Sequence, residues 1–211
     1  GGSGRKSCAT LAASMAEYTI AHMEITSKYG QVEWREDLKK IIRMAGLDQK
    51  NVVFVLDDSQ IRDETFFEDI NNILNSGDVP NIWAPDEYDQ IMATMSPIVT
   101  QAMQAAGGTR SKVISKETIY SYFVSIVRNH LHLVLCLSPV AQLFNERLRL
   151  YPSLINCATL DWYSGWPDDA LSSVAKSIFM MNGVSFSDEK ARDSVINMCV
   201  RMFRSIETAS A

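Results

Sequence analysis

Continuous apolar runs alternate along this chain with longer segments that have the period of amphipathic helices. Residues 51–58 are apolar until two acids end the run, which is typical of a parallel strand buried on both faces. Residues 131–137 form a second apolar run, residues 21–26 have the alternation of a strand, and residues 154–160 supply a last strand. These segments predict a parallel sheet.

Helical patterns fill the intervals between the strands. One helix follows the glycine-rich residues 1–7, and others are predicted at about 33–45, 63–75, 86–106 and 116–129, with a short helix reaching Arg149. Pro97 should kink the fourth of these. After Pro167 only helical patterns remain, at about 167–181 and 188–208. The sequence predicts an α/β fold, with helices flanking the sheet, followed by a small all-helical part.

Composition excludes several classes of partner. The 211 residues are 46% hydrophobic with a net charge of −5, and the scattered basic residues give no footprint for nucleic acid. No apolar stretch approaches the roughly 20 residues that a bilayer requires, and no signal-type segment opens the chain. Four widely spaced cysteines show neither zinc nor redox spacing. We therefore expect a cytoplasmic protein that binds neither nucleic acid nor membrane.

The first seven residues are similar to a phosphate-binding P-loop, in which backbone N–H groups at a helix N-terminus wrap phosphate oxygens. They are Gly1, Gly2, Ser3, Gly4, Arg5, Lys6 and Ser7. A flexible linker or the remnant of an expression tag is the competing interpretation, because glycine-rich heptamers are common in both.

Two acids follow where a P-loop ATPase places its Walker B motif. Asp57 would hold Mg²⁺ and Asp58 would polarise the attacking water, unless both acids only cap the next helix or begin a turn.

Ser138, after the next strand, takes the place of the sensor that touches the γ-phosphate, or simply precedes a turn. Arg147 and Arg149 stand where AAA+ modules carry arginines that reach a neighbour's nucleotide. The alternative is that both are ordinary surface arginines.

Longer strings resemble the fourth AAA+ module of an axonemal dynein heavy chain, closer to ciliary inner-arm chains than to cytoplasmic dynein. They cover residues 66–81, 137–140, 151–157, 160–163, 166–167 and 170–171. The resemblance implies a P-loop AAA+ large subdomain at 1–165 and a helical lid at 166–211. It also implies a first strand immediately before Gly1 and a coiled-coil stalk after Ala211. Without that strand, we expect the segment to fold poorly alone.

The same resemblance implies the ligands, partners and location. ATP or ADP with Mg²⁺ would bind here, and the partners would be neighbouring AAA+ modules, a microtubule through the stalk, and dynein light and intermediate chains through the parent chain. The location would be the cytoskeleton, in the axoneme of a cilium or flagellum.

The motifs depart from the usual pattern at three residues. Either Arg5 takes the lysine's place and Lys6 that of the Mg²⁺-binding hydroxyl, as the family implies, or Lys6 and Ser7 keep those roles. Asp58 is one methylene shorter than the usual Glu. We therefore expect a structural or regulatory nucleotide-binding module with slow or absent hydrolysis. The rivals are a free-standing, chaperone-like ATPase and an interaction scaffold that binds no nucleotide.

Overall fold

The computed structural model describes residues 4–26, 29–105, 114–138 and 142–209, and divides into two compact units, Gly1–Asp161 and Trp162–Ala211. The elements of the first unit are α1 (Arg5–Met15), β1 (Thr19–Ala21), α2 (Gln31–Gly46), β2 (Val52–Asp57), α3 (Thr65–Ser76), α4 (Pro85–Ala105), α5 (Lys116–His130), β3 (Leu131–Cys136), α6 (Gln142–Leu150) and α7 (Ser153–Asn156). The second unit contains α8 (Asp168–Met181) and α9 (Glu189–Ala209).

A parallel sheet with the order β1-β2-β3 forms the centre of the first unit. The central strand β2 is buried along nearly its whole length, as its continuous apolar run predicts. Its residues alternate between two cores. Val53 and Val55 pack with Ala13 of α1 on one face, whereas Phe54 and Leu56 belong to the larger core on the other. The predicted α/β class is confirmed.

The larger core is built by helices whose apolar faces cover one side of the sheet. The ring of Trp34 on α2 stacks on that of Phe66 on α3, with centroids 4.3 Å apart, and both side chains are fully buried. The indole N–H of Trp34 donates to the buried carboxylate of Asp69 at 3.0 Å. This hydrogen bond fastens α3 to α2 within the larger core.

Most predicted helices are confirmed within one to three residues, and α3 ends before Gly77, whose φ of 78° is left-handed. α4 continues through Pro97. Gly107 and Gly108, which directly follow the predicted helix at 86–106, lie outside the described residues.

Two strand predictions are wrong. The first strand is Thr19–Ala21, not 21–26, because the chain leaves the sheet after pairing with the first half of β2, and the Met23 carbonyl accepts from Gln60 instead. Residues 154–160 form no strand in the described structure: Ser153–Asn156 is a short helix that begins after Pro152. Only Leu154 of this stretch is buried, so it supplies one anchor to the core instead of a sheet edge.

The second unit is a pair of helices. Arg204 of α9 donates to the carbonyl of Trp166 at 2.5 Å and to the carboxylate of Asp168 at 2.7 Å, which ties α9 to the start of α8. Across the described stretches, no helix combines the length and apolar composition needed to cross a membrane.

Candidate functional site

The N-terminus of α1 presents free backbone donors and positive charge. Gly4, with a left-handed φ of 78°, precedes the helix, and the first helical hydrogen bond runs from Cys8 N–H to the Gly4 carbonyl at 2.9 Å. The amides of Arg5, Lys6 and Ser7 therefore have no acceptor within the helix. No acid lies in this first turn, so the helix dipole and two cations are left to favour an anion. Gly1, Gly2 and Ser3 of the predicted loop lie outside the described residues.

The helix start meets the carboxyl ends of β2 and β3. Lys6 Nζ lies 3.0 Å from Asp57 Oδ2 at the end of β2, and the Arg5 guanidinium donates to the Leu137 carbonyl just after β3. The crevice outside the carboxyl ends of parallel strands is where α/β proteins bind ligands. The fold thus brings together three of the predicted site segments: the start of α1, the end of β2 and the residues just after β3. Ser7 is exposed on α1.

Both carboxylate oxygens of Asp57 are engaged. Oδ2 faces Lys6, and Oδ1 accepts from the backbone N–H of Ser59 at 2.9 Å and from the Ser59 hydroxyl. Burial raises the pKa of Asp57, but the hydrogen bonds from Ser59 and Lys6 outweigh it, so that the pKa lies below its usual value. Asp57 is therefore ionised at neutral pH and paired with an ammonium group.

Magnesium does not fit the residues around Asp57 in this arrangement. Mg²⁺ takes six oxygen ligands in nearly ideal octahedral geometry and is usually held through carboxylates and phosphates. Asp57 is the predicted ligand, yet its Oδ2 already pairs with the Lys6 ammonium at 3.0 Å and its Oδ1 accepts from Ser59. An ammonium group supplies no lone pair to a metal, and its charge repels one.

The carboxylate of Asp58 is also held on both sides. Oδ2 accepts from the backbone N–H of Ser138 at 2.5 Å, and Oδ1 lies 3.6 Å from Nη1 of Arg147. The predicted sensor therefore meets the predicted water-activating acid through its main chain. Both oxygens of Asp58 thus face protein donors, which leaves fewer lone pairs to orient a water molecule.

Arg147 packs against residues of its own unit, and its reach to a neighbouring module's nucleotide stays a prediction. Its Nη2 donates to Glu64 Oε1 at 2.7 Å, its Cζ lies 4.5 Å from the centre of the Phe67 ring, and its side chain is only 12% exposed. Two carboxylates, those of Asp58 and Glu64, lie within 4 Å of its guanidinium, and charge-assisted contacts of this kind favour this position of the side chain. Arg149 is exposed, and its reach to another module stays a prediction.

Sequence reasoning missed the residues that support this site. Gln60 accepts from the Asp57 amide at 3.0 Å through its side-chain oxygen and donates to the Met23 carbonyl at 2.9 Å, so that it fixes the turn after β2. Glu64 accepts a hydrogen bond from the Arg147 guanidinium, which also lies over the ring of Phe67. The only sequence signal for Gln60 was its place three residues after Asp57, the spacing of a capping box.

Comparison with known families places the whole chain in one group. The family described as "P-loop containing dynein motor region D4" matches residues 1–211. Over 207 residues, 98% of this chain, it is 42% identical to "Dynein axonemal heavy chain 1" of Mus musculus. It is 44% identical over 211 residues, its full length, to "Dynein-1-beta heavy chain, flagellar inner arm I1 complex" of Chlamydomonas reinhardtii.

The match covers a small part of each relative. "Dynein axonemal heavy chain 6" of Homo sapiens is 40% identical over 208 residues, which is 99% of this chain but 5% of that protein. For the mouse and algal proteins the shares are 5% and 4%. This chain thus corresponds to one region of much longer proteins.

Proposed function

This chain belongs to the family of P-loop containing dynein motor regions D4, and from that premise we propose that it is a regulatory or structural nucleotide-binding module with weak or absent hydrolysis. The nucleotide would be ATP or ADP. The single observation that carries the proposal is the meeting of the α1 N-terminus with the acid-ended strand β2, measured by the 3.0 Å contact between Lys6 and Asp57.

Phosphate binding is supported by the backbone and side-chain donors at the start of α1. The first-turn amides of α1 lack helical acceptors, and Arg5 and Lys6 add positive charge at the same point. These interactions are available to the ground state and the transition state alike, so they favour retention of nucleotide without accelerating its cleavage.

Weak hydrolysis follows from the state of the two acids. Asp57 is paired with Lys6, and Asp58 is held by the Ser138 amide and lies near Arg147. Metal positioning and water activation are needed mainly in the transition state of phosphoryl transfer. Their loss lowers kcat more than it lowers affinity.

The module would act inside a dynein heavy chain that converts ATP energy into movement along microtubules. Its contacts would be neighbouring AAA+ modules, with residues 166–211, most of the second compact unit, as the small lid leading to a stalk that reaches the microtubule. Light and intermediate chains would join through other parts of the parent, in the axoneme of a cilium or flagellum. The relatives named axonemal or flagellar support this setting.

Charge reversal at the start of α1 tests nucleotide binding. In the heavy chain carrying this module, with the other phosphate loops disabled, Arg5→Glu should weaken binding of ADP at least tenfold, because a carboxylate then faces the phosphates. Lys116→Glu is the matched control, since Lys116 is also the first residue of a helix, α5, and its partner Asp89 is exposed. Equal affinity in Arg5→Glu and the control would contradict the proposal.

An interaction scaffold that binds no nucleotide is the second candidate. The specific observation in its favour is that Lys6 pairs with Asp57 and that Arg5 donates to the Leu137 carbonyl, so that both cations have partners within the protein. The same measurement separates the two readings, because a scaffold would bind no ADP before or after the substitution.

A further inference from the structure

The position of the Lys6 ammonium carries an inference about the chemical form of the ligand. In the P-loop register that the family implies, Lys6 replaces the hydroxyl residue that binds Mg²⁺, and in the structure its Nζ lies 3.0 Å from Asp57, the acid nominated to hold that metal. One cationic side chain thus replaces one metal ligand and pairs with the other. We propose that Lys6 serves as a resident cation, so that this site takes a nucleoside diphosphate or triphosphate without Mg²⁺.

Charge and geometry around Lys6 support a role in place of the ion. Nζ extends from the first turn of α1, where the free amides lie, to the carboxyl end of β2. It therefore links the start of α1, where the phosphate-binding donors lie, with the acid at the end of β2. An ammonium has three N–H donors, of which Asp57 takes one. The others can donate to phosphate oxygens.

The Lys6 side chain is 48% exposed, which makes the pair with Asp57 alone too weak to exclude a divalent ion. Two further features oppose the metal. The second oxygen of Asp57 is held by Ser59, and the neighbouring residue Arg5 adds another positive charge. A metal entering the site would have to displace the ammonium and then remain close to both cations without the hydroxyl ligand.

The inference rests on the proposed nucleotide binding, and the two fail in different ways. Affinity for ADP is measured in the heavy chain carrying this module, with its other phosphate loops disabled, in the presence of Mg²⁺ and after chelation with EDTA. The parent module should keep its affinity within twofold when Mg²⁺ is removed. Lys6→Thr restores the hydroxyl and should make binding fall at least tenfold on chelation.

Mn²⁺ provides a readout that does not depend on turnover. In the presence of ADP, Lys6→Thr should bind one more Mn²⁺ per chain than the parent, counted by electron paramagnetic resonance. Lys40→Thr is the matched control, because Lys40 forms a Lys–Asp pair of 2.8 Å with Asp37 on α2 and should change neither measurement. Lys6→Arg retains the charge and should stay independent of Mg²⁺.

The outcomes of these measurements distinguish failure of the resident-cation inference from failure of the proposed nucleotide binding. Affinity in the parent that falls tenfold on chelation, or an equal Mn²⁺ count in the parent and Lys6→Thr, would overturn the resident-cation inference and leave nucleotide binding standing. No binding of ADP to the parent in either condition would overturn the proposed function, and this inference with it.

Discussion

Nη1 of Arg147 on α6 lies 3.6 Å from Oδ1 of Asp58, the residue that follows β2. The same guanidinium donates to Glu64 and covers the ring of Phe67, so that one side chain connects α6 with the end of the sheet and the start of α3. A residue nominated for a neighbouring module's nucleotide therefore restrains the acid of its own module in this state.

Removing this side chain should loosen α6. We expect Arg147→Ala to lower the free energy of local opening of α6 by about 1–2 kcal/mol, because it loses a partly exposed ion pair and a cation–π contact. Amide hydrogen exchange of the heavy chain, followed by mass spectrometry, measures this opening. Arg149→Ala is the control and should change it by about 0.5 kcal/mol or less, since Arg149 is exposed. Unchanged protection of α6 in Arg147→Ala would contradict the assigned contact.

Asp69 gives a test of the core beneath the site. Burial raises its pKa despite the nearby Arg35 and the hydrogen bond from Trp34. Because the folded pKa lies above the usual value of about 3.9, the stability that this shift contributes is fully present below that value and is lost as the pH rises through the folded pKa. The ionised form of the side chain therefore carries a cost of burial.

Two substitutions separate the charge of Asp69 from its hydrogen bond. Asp69→Asn keeps an acceptor for Trp34 without a charge, so local opening of α2 and α3 at pH 7 should change by less than about 1 kcal/mol. Asp69→Ala should cost about 2–3 kcal/mol, because it leaves the buried indole N–H unpaired and opens a cavity. Between pH 4 and 7, the parent should lose stability relative to Asp69→Asn. Equal losses of stability in Asp69→Asn and Asp69→Ala at pH 7 would refute this account.

The sequence was sufficient for the strongly periodic parts of the fold. The apolar run at 51–58 predicted β2 because a strand buried on both faces has no polar positions, and the run at 131–137 predicted β3 in the same way. The glycine-rich start and the two acids were assigned to a P-loop and a Walker B position, and in the structure Lys6 of α1 lies beside Asp57 at the end of β2.

The remaining features depend on contacts that no local pattern encodes. β1 is only three residues long because pairing stops where Gln60 takes the Met23 carbonyl. Apolar residues at 154–160 suited a strand equally well, yet their outcome depends on an available sheet edge. Likewise, the pairing of Arg147 with Asp58 and Glu64 follows from how α6 packs beside α3, which spacing alone does not reveal.

Restoring the usual motif chemistry should recover hydrolysis if the scaffold is otherwise competent. In a heavy chain whose other hydrolytic modules are disabled, we expect Arg5→Lys, Lys6→Thr and Asp58→Glu together to raise residual ATP turnover at least tenfold. Asp58→Glu alone should do little, because Lys6 would still occupy Asp57. Phosphate release measures both variants against the parent. A triple variant whose ATP turnover is as low as that of the parent would mean that these three residues do not account for weak hydrolysis.

The central claim is that this module holds nucleotide but scarcely hydrolyses it, and single-turnover analysis of the unmodified module tests it most directly. The heavy chain, with its other nucleotide sites disabled, is loaded with radiolabelled ATP, and the bound ATP and ADP are separated over time. We predict about one retained nucleotide per chain and conversion far slower than the roughly 1 s⁻¹ of ordinary phosphoryl-transfer enzymes. Conversion at about 1 s⁻¹ or faster, or no retained nucleotide, would contradict the claim.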